Sequence, residues 1–332
     1  MELNLKHTYY SEKMIALAAV REAADLCRNV QRELAPGEIQ KKDRSPVTIA
    51  DFGSQALVCS RLRKAYPNDP IIAEEVADEL RTDENILIKD QVVSRVREIR
   101  PDASEAAILE WIDYGGHKDQ APRYWTLDPI DGTKGFLRGD QYAVALALIA
   151  EGEVVVAALA CPNLTLSMAP DSKGIIAIAV KGQGTEFFQL QDMKVLEKVS
   201  ISKQIEPDKV RFSESVESTH TSHSGAQLIA QYLGISGKSV RLDSQAKYAV
   251  VAGGDAEIYM RLPSDRRYVE NIWDHAAGML IVEEAGGKVT DINGKPLIYK
   301  HGYQLKENRG VIVSNSLLHD PLLKAIAKAG IK

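Results

Sequence analysis

The chain has 332 residues with 45% hydrophobic content, enough for one large or two ordinary domains around a sizeable core. Its 41 Lys+Arg against 46 Asp+Glu leave a net charge of −5, which excludes a general polyanion-binding surface and a nucleic-acid footprint, so any phosphate recognition must be local. Cys27, Cys59 and Cys161 are isolated and lack C-x-x-C spacing, and no apolar stretch has the length of a membrane span or a signal core; buried free thiols and a cytoplasmic location are expected.

In chain order, Ile15, Ala19, Ala23, Leu26, Cys27, Val30 and Leu34 fall at helical spacing over about residues 9–34, ahead of Pro36-Gly37, which predicts a packing helix. A polar loop at 41–48 follows. The spacing through Leu62 predicts a second helix with Thr48 as N-cap and Asp51 in its first turn, where the helix dipole favours an anion. Residues 67–73 read as a short buried strand that delivers Glu74-Glu75. From 76 to 122 the chain is highly charged, with one helix carrying Ile88, Val92, Val96 and Ile99 and another begun by Asp102 with Glu105 in capping-box position. This segment is expected to be a mobile, mostly solvated insertion that covers a site rather than builds one.

Next, the apolar alternation of Trp125 and Leu127 runs into Asp128-Pro129-Ile130-Asp131-Gly132-Thr133, where Pro129 and Gly132 force a turn. Hairpins are expected at 142–160, turning at Glu151-Gly152, and at 175–190, turning at 181–184. Cys161-Pro162-Asn163 breaks that pattern and marks a crossover between an N-terminal α+β domain, 1–162, and a C-terminal α/β domain, 163–332. Helices at 222–233 and 245–251 then alternate with strands near Val240 and at 256–262, which predicts a parallel sheet flanked by helices. Trp273-Asp274-His275-Ala276-Ala277-Gly278 opens a long apolar helix to Ala285, with Asp274 as its first or cap residue. A strand at 310–315 and a short helix close the chain.

Asp51, Glu74, Asp128, Asp131 and Asp274 all stand at the edges of regular elements, where ligands are presented. Two carboxylates brought together repel and raise each other's pKa, whereas a hard divalent ion accepts both and adds a backbone carbonyl, here that of Ile130. Such oxygen donors suit Mg²⁺ over zinc or copper, and Mg²⁺ works on phosphate oxygens, so phosphoester hydrolysis is the implied chemistry. Thr133 is placed to position the attacking water jointly with Asp51, which would accept its proton. Glu75 reads as a supporting or surface acid, His275 as a structural histidine, Arg266 and Arg267 as solvated charges, and Trp125 and Trp273 as packing. Lys134 lacks the G-x-x-x-x-G-K-[ST] spacing of a phosphate loop.

Four motifs in order over residues 45–290 carry a resemblance: Asp51, Glu74-Glu75, the run from Asp128 to Thr133, and the run from Trp273 to Gly278. Together they resemble the lithium-sensitive inositol monophosphatase superfamily. Gly135-Phe136-Leu137-Arg138-Gly139-Asp140-Gln141-Tyr142 and Asp243-Ser244-Gln245-Ala246-Lys247-Tyr248 are further similar to its 3'(2'),5'-bisphosphate nucleotidases of plants and fungi. The resemblance implies an α/β chain folded as a layered αβαβα sandwich of the inositol monophosphatase and sugar phosphatase type. It implies up to three Mg²⁺ ions on Glu74, Asp128, the Ile130 carbonyl, Asp131 and Asp274, with Asp51 and Thr133 activating water. It also implies a substrate pocket in which Glu217, His220, Thr221, Ser244, Lys247 and Arg261 join Thr133 and Asp274. Lys247 and Arg261 would pair the retained 5'-phosphate while the metals engage the 3'-phosphate. The chain departs from the family pattern at Ala73, Val76 and Thr221, where Gly, an acid or Ser, and Ser are usual.

The expected activity is Mg²⁺-dependent conversion of adenosine 3',5'-bisphosphate to AMP, with the sulfated 3'-phosphoadenylyl sulfate as a second substrate. A role in nucleotide and sulfur metabolism, lithium inhibition and a monomeric state go with it. An inositol polyphosphate 1-phosphatase is the alternative within the superfamily. A non-catalytic nucleotide-bisphosphate sensor is the alternative of another class, disfavoured because a sensor has no need of the Asp51/Thr133 pair.

Overall fold

The computed structural model describes residues 8–33, 45–196, 199–216, 223–263 and 267–331. The chain runs through α1 (Tyr10–Glu33), α2 (Ser45–Ala65), β1 (Ile71–Ala73), α3 (Ile86–Ile99), α4 (Glu105–Asp113), β2 (Arg123–Asp131), α5 (Thr133–Leu137), β3 (Ala143–Ala150), β4 (Glu153–Cys161), β5 (Ile175–Val180) and β6 (Gly184–Gln189). It continues with β7 (Phe212–Glu214), α6 (His223–Leu233), β8 (Val240–Arg241), α7 (Ala246–Ala252), β9 (Ile258–Arg261), α8 (Ala276–Glu284), β10 (Gly287–Thr290), β11 (Val311–Asn315) and α9 (His319–Lys328). No helix among the described residues is long and apolar enough to cross a membrane.

The strands form a six-stranded sheet, β1-β2-β3-β4-β5-β6, and a five-stranded sheet, β10-β11-β9-β7-β8. Period-2 alternation divides the first sheet cleanly between two cores. Trp125, Leu127, Val144, Leu146 and Leu148 face a core shared with α1 and α2. Tyr124, Ala143, Ala145, Ala147, Ala157 and Ala177 face the other, shared with α7 and α8. The alanine-rich face leaves room for α8 to lie close against the sheet. On the second sheet, Tyr259, Val311 and Val313 face that same middle layer, while Ile258, Met260 and Ile312 face α9 and Ile229 of α6. The layers therefore stack as αβαβα.

The second sheet is mixed rather than parallel: β7 pairs parallel with β8 and β9, but β11 pairs antiparallel with β9 and β10. A parallel neighbour needs a crossover, usually helical. Helices α6 and α7 supply two, whereas no helix lies between β10 and β11. The first sheet, for its part, runs past residue 162 to Gln189, because the second hairpin adds to the edge of β4. The change of sheet falls between Gln189 and Phe212, not at Cys161-Pro162.

The charged segment at 76–122 is not a solvated insertion. Val92, Val93 and Val96 of α3, Ile108 and Ile112 of α4, and Ala77 and Leu80 are buried in the first core beside α2. Charges on the outer faces of these helices mask a narrow apolar stripe that is still wide enough to pack. Ser104 caps α4 by accepting from Ala107 N at 3.1 Å, in place of the expected start at Asp102. Likewise, α2 begins at Ser45, so Thr48 is inside the helix and Asp51 lies beyond the first turn.

Candidate active site

Strand β2 is buried on both faces, and its register against β3 shifts between Asp128 and Asp131, because Pro129 has no N–H to give the ladder. The freed Pro129 carbonyl accepts from Ser54 Oγ at 3.0 Å. Gly132 then turns the chain with φ +91, and a Cβ there would stand 2.8 Å from Ser244 Cβ, so only glycine fits between the two elements. Helix α5 starts at once with Thr133. Since β1 runs parallel to β2 with Ala73 opposite Leu127, the next residue, Glu74, is delivered beside Asp128. Gln55 pins that segment, accepting from Glu75 N at 3.1 Å and donating to the Glu75 carbonyl at 2.6 Å.

Asp274 comes from a turn two residues before α8, outside the helix, whose N-cap is His275. Gln245 ties this turn to the acid strand. Its backbone N–H donates to Asp131 Oδ2 at 2.6 Å, its side-chain amide donates to the Trp273 carbonyl at 2.8 Å, and its Oε1 accepts from Gly278 N at 3.2 Å.

Glu74, Asp128, Asp131 and Asp274 line one cavity of about 310 Å³. Ile130 lines it too, and because its side chain is buried in the first core, it is backbone that Ile130 presents there. Burial, then Glu74, Asp131, Asp274 and Asp51, hold the Asp128 carboxyl well above the usual carboxylate range. Glu74 is raised by burial and by Asp274, Glu75 and Asp131, and Asp274 by burial against the pull of Arg261 and His275. Among the described residues, Asp128 Oδ1 is buried with no hydrogen-bond partner. A cluster of this kind ionises only at a cost of several kcal/mol unless a cation joins it. This orphaned oxygen and the neighbouring carboxylates that repel it fit a hard divalent ion. Among the described residues, the three ligating side chains with atoms all within 4.8 Å of one another are instead Glu270, Asp274 and His275. That group already holds a counter-ion, since Arg261 Nε lies 2.8 Å from Glu270 Oε2.

Lys247 and Arg261 reach the same cavity. Lys247, on α7, is 4% exposed, has its Nζ 5.2 Å from the centre of the Tyr259 ring, and makes no ion pair among the described residues. Burial pushes its ammonium down to about 8, against Asp131 and helped by Arg261. Arg261 ends β9, with Nη2 donating to Tyr268 OH at 3.3 Å and standing 3.9 Å from Asp274 Oδ2. Ser244, held at φ +68, accepts from Ala246 N at 3.2 Å and lines the cavity with Thr133.

Of the remaining expected residues, Asp51 is buried but does not line the cavity, and it makes no hydrogen bond to Thr133 among the described residues. Burial, Glu75 and Glu74 raise its pKa well above normal. Glu217, His220 and Thr221 lie outside the described residues. The cavity also takes in Ser215, Gln245, Tyr259, Tyr268 and Asn271, which were not expected there. Tyr259 had a signal, since two positions before Arg261 on a strand is the same face.

The inositol monophosphatase family profile matches residues 5–330. The chain belongs to the inositol monophosphatase family. The family is metal-dependent, generally with Mg²⁺. Relatives named 3'(2'),5'-bisphosphate nucleotidase include those of Schizosaccharomyces pombe, 44% identical over 96% of both chains, and Emericella nidulans, 43% identical over 97% of this chain and 99% of that one. The protein of that name from Oryza sativa is 42% identical over 97% of this chain and 95% of its own. The solved inositol monophosphatase from Anabaena superposes with a TM-score of 0.60 at 20% identity, covering 98% of this chain and 97% of that one, a likeness of fold. Within the family frame, the acids that the structure gathers at the ends of β1 and β2 and ahead of α8 are oxygen donors at the cavity, and Asp243, which also lines it, is paired with Arg138.

Proposed function

We propose that this chain removes the 3'-phosphate of adenosine 3',5'-bisphosphate to give AMP and phosphate, and acts also on 3'-phosphoadenylyl sulfate. The observation that carries the reading is a single cavity that brings the acids Glu74, Asp128, Asp131 and Asp274 and the Ile130 backbone together with the cations Lys247 and Arg261, with Lys134 and Asp243 also in its lining. A substrate with one phosphate has no use for the second pole. Relatives named for the bisphosphate nucleotidase activity support it, at 42–44% identity over nearly the whole chain.

Glu74, Asp128, the Ile130 carbonyl, Asp131 and Asp274 would hold Mg²⁺, up to three ions. When bound, Mg²⁺ supplies charge neutralisation at phosphate and lowers the pKa of water. The chain's own residues do the rest. Thr133, at the cavity wall, orients the attacking water through its hydroxyl, and Asp51, buried and outside the cavity lining, would accept the proton by relay, Thr133 taking the water's proton as its own passes to Asp51. Lys247 and Arg261 hold the 5'-phosphate, and Ser244 faces the same space. Glu217, His220 and Thr221 are proposed as further substrate contacts. Lithium is proposed to inhibit by competing for the same oxygen donors. A monomeric state is proposed with it, and three buried free cysteines suit a reducing, cytoplasmic setting.

The test is regiochemical. Adenosine 3',5'-bisphosphate is incubated with the protein and Mg²⁺, and the nucleoside product is separated. AMP is expected; adenosine 3'-monophosphate would place the two poles the wrong way round.

A further inference from the structure

Resting on the reading that Arg261 holds the retained phosphate, we propose that Glu270 is the positioning residue that makes Arg261 an anion receptor, and so sets the preference for a bisphosphate over a monophosphate. The chain after β9 returns alongside residues 303–305: Ile272 N donates to the Tyr303 carbonyl at 3.0 Å, Leu305 N to the Glu270 carbonyl at 2.9 Å, and Asn271 bridges to Gln304. This tether fixes Glu270, 6% exposed, against the guanidinium. Its Oε2 stands 2.8 Å from Arg261 Nε. The same oxygen lies 3.2 Å from His275 Nε2, and His275 Nδ1 lies 2.7 Å from Tyr248 OH.

The hydrogen bonds can be oriented in one consistent way. The Tyr248 hydroxyl donates to His275 Nδ1, and Nε2–H donates to the carboxylate, which is left to face Arg261. Every member of the chain is buried apart from Arg261, whose other end lines the cavity. Guanidinium has five N–H groups in a rigid fork, so engaging Nε from behind leaves the terminal nitrogens in place for a phosphate. Without Glu270 the arginine would have Asp274, 3.9 Å away, as its remaining carboxylate, and would turn toward the acid wall. Glu270 thus holds the guanidinium against the pull of Asp274. Lysine could not replace Arg261, because one ammonium cannot be gripped from behind and still present a fork.

The measurement is a double-mutant cycle read as substrate selectivity. For the wild type, Glu270→Gln, Arg261→Ala and the double variant, kcat/KM is determined with adenosine 3',5'-bisphosphate and with adenosine 3'-monophosphate. Glu270→Gln is expected to cut the ratio of the two roughly tenfold. In the Arg261→Ala background it should change the ratio by less than about twofold. Binding of AMP against adenosine is measured in parallel by calorimetry in EDTA, free of turnover. Glu270→Gln should lose most of the affinity that the 5'-phosphate adds. An equal loss for both substrates, no loss, or a full effect persisting without Arg261 would each overturn the positioning role. Should Glu270→Gln fail to fold, Tyr248→Phe loosens the same chain from its far end and is expected to cut the ratio about threefold, with no change contradicting the inference. If the wild type binds AMP no better than adenosine, it is the assignment of Arg261 and Lys247 to the phosphate that fails.

Discussion

On the side of the first sheet the cavity is walled by Glu74, Asp128 and Asp131, with Asp274 beside them, and burial and neighbouring acids disfavour the charged forms of Glu74, Asp128 and Asp274. On the side of β9 and α7 each cation already has a protein partner: Glu270 for Arg261 and the face of Tyr259 for Lys247. One wall is therefore incomplete until a cation arrives, and the other is preformed for an anion. The difference teaches an order of dependence. Metal should change the stability of the protein, whereas the phosphate-holding side should show its contribution in selectivity.

The largest effect is expected from Asp128→Asn, which removes the orphaned oxygen's charge. Hydrolysis should drop roughly a thousandfold, the scale of losing a preorganised charge at the reacting group. The melting temperature in EDTA should hold or rise, since a buried repelling charge is gone, while the rise that Mg²⁺ gives the wild type should shrink. Full activity in this variant would break the comparison at its acidic end. Next, Thr133→Val should slow turnover about a hundredfold with the Mg²⁺-dependent rise in melting temperature preserved, as suits a residue that handles water rather than metal. Loss of both together would make Thr133 part of the metal wall.

Lys247→Ala should then cost roughly thirtyfold in kcat/KM for the nucleotide bisphosphate relative to a nucleoside 3'-monophosphate. Equal losses would remove Lys247 from the second pole. The smallest effect is in pH. With its pKa pushed down to about 8, the Lys247 ammonium is charged below that value and neutral above it, so KM for the bisphosphate should climb as pH rises through about 8. Bound phosphate favours the charged form and delays the climb. Lys247→Arg, which stays protonated, should flatten the profile.

The acid wall was legible in the sequence because its residues sit at the ends of apolar runs, where period-2 alternation stops and Pro129 and Gly132 force the chain out. The five-layer architecture followed from the resemblance, since local periodicity by itself yields strands and helices without their stacking. Three features resisted reading for separate physical reasons. The apolar stripe of α3 and α4 is narrow and flanked by charge, so 76–122 looked solvated although it completes the first core. The antiparallel half of the second sheet depends on β10, four residues long and formed immediately after Gly286 ends α8. Lys247 and Arg261 were named through the resemblance, but Tyr259, Tyr268 and Asn271 join them at the cavity only through tertiary pairing, and nothing in the local pattern around Glu270 announces that it grips an arginine nine positions earlier.

The central claim is that a metal-completed acid wall and a preformed basic wall act on the two phosphates of one nucleotide. It is tested most directly by phosphate release from adenosine 3',5'-bisphosphate, inositol 1,4-bisphosphate and inositol 1-phosphate, each with Mg²⁺ and with EDTA. Release should require Mg²⁺ and be fastest with the nucleotide. Release in EDTA, or preference for either inositol ester, would contradict it.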